Sequence, residues 1–146
     1  MSENCIFCKI VRNEVPASVV YEDDQVIAFM DIRPVSEGHT LVIPKQHYAD
    51  IFETPEELVA ATSKVTKQVA LAAKMATQAD GISIVQQNGA AAGQDIFHLH
   101  LHIIPRFEGR KMPNFSELKA ASRESLDQVA VRIRDAMQAQ TNLMLK

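Results

Sequence analysis

The stretch His98-Leu99-His100-Leu101-His102-Ile103-Ile104, fed by the loop Asn88-Gly89-Ala90-Ala91-Ala92-Gly93-Gln94-Asp95, decides how this chain is read. At period two, Phe97, Leu99, Leu101 and Ile103 fall on one face and Ile96, His98, His100, His102 and Ile104 on the other, the alternation of a strand. Helical spacing would turn His100 away from His98 and His102, and Pro105 closes the run too soon for a helix of ordinary length. As a strand, the segment lines up three imidazoles roughly 6.6 Å apart, so neighbouring rings can share one phosphate-sized group. A half-exposed strand that merely carries polar histidines is the plainer alternative. Strict alternation behind a loop whose glycines can turn amide N–H groups toward an anion favours phosphoryl chemistry.

Outward from that stretch, the 146 residues are 47% hydrophobic, which suits one domain over 1–146 that closes its own core. Fifteen Lys+Arg against 18 Asp+Glu, a formal net charge of -3, argue against a broad electrostatic grip on DNA or RNA. The start Met1-Ser2-Glu3-Asn4 lacks the basic and apolar regions of a signal peptide, and no apolar run approaches the roughly 20 residues of a membrane span. The expectation is a cytoplasmic protein with no nucleic-acid and no membrane partner.

Cys5 to Val11 carries apolar residues at helical spacing, a short helix before Pro16. Ser18–Tyr21 and Val26–Asp31 read as strands joined by the polar turn Glu22-Asp23-Asp24-Gln25, and His39–Ile43 as a third strand. Thr54-Pro55-Glu56-Glu57 is a helix start with Thr54 as cap. Leu58, Thr62, Val65, Val69, Ala72 and then Met75 or Ala76 carry one long amphipathic helix to near Gln78. Gly81–Gln87 is β-branched and short, a fourth strand, and the histidine stretch is the fifth. A last helix starts at Ser122 or Ser125 with Leu126, Val129, Ala130, Ile133 and Met137 on one face, while residues 108–116 give no clear signal. The fold class is therefore α+β: a five-stranded antiparallel sheet with one long helix packed on it and short N-terminal and C-terminal helices.

Cys5 and Cys8 form a two-residue knuckle that suits tetrahedral Zn²⁺. Packed beside the end of the sheet, Cys5, Cys8, His47 and His98 would make a closed, structural Cys₂His₂ set; a redox pair and inert thiols are the other readings. Such a zinc would pin the N-terminus and steady the ring next to His100.

Taken together, these residues resemble the histidine triad (HIT) superfamily, whose signature alternates three histidines with apolar residues. Cys5-Ile6-Phe7-Cys8-Lys9-Ile10, Ala28-Phe29-Met30-Asp31-Ile32, Gly38-His39-Thr40-Leu41-Val42-Ile43-Pro44 and Gly93-Gln94 are similar to it in the same order, over residues 5 to about 107. The features are most similar to those of the zinc-carrying bacterial members of the Hint-like branch. Residues from about 108 to 146 form a C-terminal helical extension outside the likeness.

The resemblance implies a nucleotide hydrolase or transferase acting at the α-phosphorus of nucleoside 5'-phosphate derivatives. His100 would be the nucleophile that forms a nucleotidyl-histidine, His102 would hold phosphate oxygens or assist the leaving group, and His98 would complete the triad. A neutral imidazole oriented through its other nitrogen is a competent nucleophile near pH 7. Asp31 would take the ribose hydroxyls, with Ile6, Phe7, Ile10, Phe29 and Ile32 walling the base; for those apolar residues plain core packing is the alternative. Gln87, Gly93, Gln94 and the amide of Asp95 map to phosphate-binding positions, and His39 maps to a histidine near the site in some relatives, with a buried, hydrogen-bonded structural histidine as the alternative.

Two positions depart from the pattern. Gln87 stands where Hint-like members usually carry Asn and where the dinucleoside polyphosphate hydrolases have Gln. Asp95 stands where a hydroxyl residue is common, and a carboxylate there repels an anionic substrate. The implied activity is hydrolysis of purine nucleoside phosphoramidates by a homodimer. Dinucleoside polyphosphate hydrolysis and a nucleotide-binding, zinc-stabilised interaction protein are the rivals.

Overall fold

Thr40–Pro44 (β3) is buried at all of its positions and forms the middle of a five-stranded antiparallel sheet. The computed structural model describes residues 2–145. On one side of β3 lie Val26–Met30 (β2) and then Val19–Glu22 (β1); on the other, Leu101–Arg106 (β5) and then Gly81–Gln86 (β4) at the edge. The expected α+β sheet is thus found, and the acidic turn closes the β1–β2 hairpin, with Asp23 accepting the amides of Gln25 and Val26.

The two faces of the sheet are covered differently. Val20, Val26, Ala28, Met30, Val42 and Ile103 face two helices, Glu56–Thr77 (α2) and Arg123–Met144 (α3). Ile27, Phe29, Leu41 and Ile43 face the short helix Ile6–Val11 (α1) through Phe7 and Ile10. By the same alternation Asp31, His39 and His102 belong to the α1 face, because His102 stands opposite Leu41 and His39 and Asp31 precede or follow residues of that face by two.

Three expectations change. The strand that was to run through the histidines begins only at Leu101, so His98 and His100 lie in the irregular lead-in and only His102 is on β5. The amide of Leu99 is spent on the carbonyl of Tyr48 in a loop, which takes that segment away from the sheet ladder. Thr54 is not the helix cap: its hydroxyl donates to the carbonyl of Asp50, and Pro55 takes the cap position with no side-chain hydrogen bond. The C-terminal helix is not short. It spans 22 residues, as many as α2, with Ser122 accepting the amide of Ser125 at its start. Leu126, Val129, Ala130 and Ile133 are its buried face, as the periodicity predicts; on α2, Ala76 rather than Met75 turns toward the core.

Gly38 precedes the site residue His39 with a φ of +95°, and a Cβ there would sit 2.7 Å from Thr77 Cγ2 and 3.1 Å from Pro105 Cγ. Gly38→Ala should therefore destabilise the fold by about 2 kcal/mol in urea unfolding, combining backbone strain with the clash. A loss below about 0.5 kcal/mol would show that this turn gives way freely.

Candidate active site and metal cluster

Ring nitrogens and main-chain carbonyls decide what each histidine here can do. His98 is fully buried, and its Nε2–H donates to the carbonyl of Pro44 at 2.8 Å, which leaves the Nδ1 lone pair free. That Nδ1 lies 3.5 Å from Cys5 Sγ, 3.6 Å from Cys8 Sγ and 3.2 Å from His47 Nδ1, and Cys8 Sγ is 3.3 Å from His47 Nδ1. Around a tetrahedral Zn²⁺ with ordinary bond lengths, two nitrogens would be about 3.4 Å apart and nitrogen and sulfur about 3.6 Å. The four predicted ligands are thus together, unlinked, at separations that fit one ion with no open position. Burial pushes the Cys8 thiol up from its ordinary value, and a cation in the cluster would offset that cost.

His100 is held the opposite way. Its Nδ1–H donates to the carbonyl of His98 at 2.8 Å, so Nε2 carries the lone pair. The residue is only 5% exposed, packed edge-on by Phe7 at 5.2 Å and by His102 at 4.9 Å between ring centres. Among the described residues no buried side-chain nitrogen or oxygen lacks a partner, so the Nε2 of His100, which has no partner, is not wholly shut off from solvent. His98, one of the four residues of the cluster, also supplies the carbonyl that orients His100.

His102 Nδ1 lies 3.0 Å from Nε2 of His39, which in turn is 3.5 Å from Asp31 Oδ2. The amide of Val35 donates to His39 Nδ1 at 3.0 Å. Burial holds His39, His98 and His102 low, each at about 4, so all three rings are neutral at pH 7. Burial also raises Asp31, against the amide of Arg33 that donates to its Oδ1. The register of β2 against β3 brings Asp31 beside His39, since Met30 pairs with Thr40 and the Asp31 amide donates to the His39 carbonyl. That pairing could be drawn from the sequence by closing a β2–β3 hairpin over Pro34 and Gly38.

The loop residues divide into those spent on structure and those left free. Gln94 is 4% exposed; its side chain accepts the amide of Gly89 and donates to the carbonyls of Ala49 and Ile96. Its side chain ties the glycine loop to the loop after His47, a task the sequence did not reveal. Asn88 does the same by accepting the amide of Ile51. Gln87 packs against Gly93, where a Cβ would sit 2.6 Å from its Nε2 and where φ is +94°, so that close approach requires glycine. Asp95 is exposed. Of the expected base wall, Phe7, Ile10 and Phe29 are buried in the α1-side core, whereas Ile6 and Ile32 remain exposed.

The family profile for the HIT domain matches residues 12–109. An uncharacterized HIT-like protein of Methanocaldococcus jannaschii is 47% identical over 132 residues, covering 89% of this chain and 98% of that protein. Adenylylsulfatase HINT3 of Arabidopsis thaliana is 46% identical over 108 residues, covering 74% of this chain and 55% of that protein. Among solved structures, a Zn-bound histidine triad family protein from Mycobacterium smegmatis aligns with a TM-score of 0.85 at 38% identity, covering 96% of this chain and 97% of that one.

The cluster geometry predicts about one zinc per chain by metal analysis, lost in Cys8→Ala together with part of the stability. Stoichiometric zinc retained in Cys8→Ala would rule out this ligand set. The buried rings predict a pH dependence. Unfolded histidine takes up a proton below about 6.5, but folded His39 and His102 do so only near 4, so stability present above pH 6.5 falls as pH drops through that window. Unfolding of His39→Phe, one such ring fewer, should fall less steeply between pH 6.5 and 4 in urea titrations. Parallel curves for the two proteins would show that this ring is not held neutral.

Proposed function

Because the chain belongs to the HIT family, a superfamily of nucleotide-binding hydrolases and transferases, we propose that it hydrolyses purine nucleoside 5'-phosphoramidates through a nucleotidyl-histidine. The observation that carries this reading is His100: one nitrogen bound to the His98 carbonyl, the other an outward lone pair beside His102. An imidazole so fixed presents the lone pair of its Nε2 for attack on phosphorus. The bond from His100 Nε2 to phosphorus forms as the phosphorus–nitrogen bond breaks, and the amine departs with that electron pair and a proton taken from solvent. Water then attacks the phosphorus and breaks the histidine–phosphorus bond, whose electron pair returns to His100 Nε2 while the water's proton returns to solvent, and the nucleoside monophosphate is released.

In this reading Asp31 receives the ribose hydroxyls, and Ile6 and Ile32, apolar yet exposed, close over a purine whose inner wall is Phe7, Ile10 and Phe29. Gln87, the amide of Asp95 and His102 surround the phosphoryl oxygens, donors placed where charge develops; Gly93 and Gln94 shape the loop beside them, since their amides already donate to the carbonyls of Ala90 and Gly89. Asp95 is exposed, and its carboxylate charge is felt by Asp31 and His102, so it adds a repulsion that the bound phosphate must tolerate. Zn²⁺ at Cys5, Cys8, His47 and His98 is structural: it supplies no reacting group and steadies the backbone that orients His100.

Gln at position 87 favours a second reading, hydrolysis of dinucleoside polyphosphates at the same phosphorus. A third, a nucleotide-binding interaction protein with incidental turnover, keeps the pocket but not the chemistry.

We read residues 1–146 as one HIT domain, since α3 of the C-terminal extension contributes Leu126, Val129, Ala130 and Ile133 to the core shared with α2. We read the working unit as a homodimer, supported by the free edge of β4 and by the exposed apolar side chains Leu71, Met75 and Ile84. Among the described residues no helix is long and apolar enough to cross a membrane.

Purified protein should release AMP from adenosine phosphoramidate faster than from a dinucleoside polyphosphate. His100→Gly should cut that rate roughly a thousandfold or more while AMP still binds. Equal turnover in the two proteins would exclude the mechanism, and a preference for the dinucleotide would select the second reading.

A further inference from the structure

The geometry points to His39 as a positioning residue that decides which nitrogen of His102 carries its proton, and so whether His102 meets the substrate as a hydrogen-bond donor or as a lone pair.

The chain of hydrogen bonds has only one consistent direction. The amide of Val35 can only donate, so His39 Nδ1 accepts and the hydrogen of that neutral ring is on Nε2. His39 Nε2–H therefore donates to His102 Nδ1 at 3.0 Å, and the carboxylate of Asp31 at 3.5 Å serves it as a second acceptor. With Nδ1 an acceptor, His102 carries its own hydrogen on Nε2. The neighbouring His100 has been set the other way by the His98 carbonyl. Two rings 4.9 Å apart thus present unlike nitrogens, one a lone pair and the other an N–H. A nucleophile attacking an anionic phosphate needs that asymmetry: a second lone pair would repel the phosphoryl oxygens, whereas an N–H stabilises the charge that gathers on them.

The same direction excludes a different reading of this cluster. Asp31, His39 and His102 bring three possible ligand atoms within metal-binding separation. But His39 Nδ1 already accepts an amide hydrogen, so its Nε2 has no lone pair to give a cation unless the ring becomes an anion. The zinc-like cluster has no such obstacle, because the Nε2–H of His98 is taken by a carbonyl and its Nδ1 is free. Burial of His39 and His102 keeps both rings neutral, so the position of a single hydrogen is the variable that matters.

The kinetic arm of the test rests on the hydrolase reading above; the spectroscopic arm does not. In ¹⁵N-detected spectra of the ligand-free, full-length protein, His102 should show a protonated Nε2 and an unprotonated Nδ1. His39→Gln, whose amide can still donate toward His102, should keep that pattern; His39→Phe, similar in size but without a donor, should let the proton move between the two nitrogens. With adenosine phosphoramidate, His39→Phe should lower kcat roughly tenfold to a hundredfold at little cost in KM, and His39→Gln should restore most of it.

A wild-type His102 with its proton on Nδ1 overturns the proposal outright, even if His39→Phe fails to fold. So does an unchanged His102 pattern in folded His39→Phe, or a Gln variant as impaired as the Phe variant. If the spectra behave as expected but no substrate is turned over, the positioning role stands and the hydrolase reading falls.

Discussion

Each histidine of the triad keeps one ring nitrogen occupied inside the protein, and everything the site can do follows from which nitrogen that is. The carbonyl of Pro44 turns His98 so that its lone pair faces two cysteines. The carbonyl of His98 turns His100 so that its lone pair faces outward. Both acceptors are main-chain atoms at the end of β3 and in the segment ahead of β5, held in turn by the Leu99–Tyr48 hydrogen bond and the Gln94 amide. Three chemically identical side chains thereby acquire different chemistry without any difference in residue type.

The sheet explains how such positions arise. One face is given wholly to α2 and α3 and holds the larger core. The other is only partly covered by α1, which is short, and Asp31, His39 and His102 stand on that face beyond the helix, with His39 buried and Asp31 partly open. Phe7 links two parts of that face: its ring packs against Phe29 in the core and edge-on against both His98 and His100. The helix that carries Cys8 also carries this ring, so the Cys/His cluster and His100 share one wall.

Alternation of apolar and polar residues was enough to find the five strands and the long helix, because those features come from burial on a periodic backbone. The cysteine knuckle, with His47 and His98, pointed to four side chains that the fold does bring together. Alternation overextended β5 to include His98 and His100, since it continues in extended chain that has left the ladder; only the loop around Tyr48, distant in sequence, reveals that departure. Thr54 looked like a cap for the same local reason, until Asp50 claimed its hydroxyl. The work of Gln94 and His39 was not legible at all. Their partners, Ala49 and Gly89 for one, Val35 and His102 for the other, are assembled by the fold, and a sequence motif states residue type without stating to whom a hydrogen is given.

The four donors of the metal cluster come from positions 5, 8, 47 and 98, which has a consequence for biosynthesis. In a growing chain the cysteine knuckle is made first, and the fourth donor follows 90 residues after Cys8. The knuckle by itself offers half of a tetrahedral shell, so an ion held by all four would be captured firmly only once both ends of this span had met. Metal uptake at this cluster would then set a seal on finished topology, in contrast to small domains whose folding the ion itself nucleates.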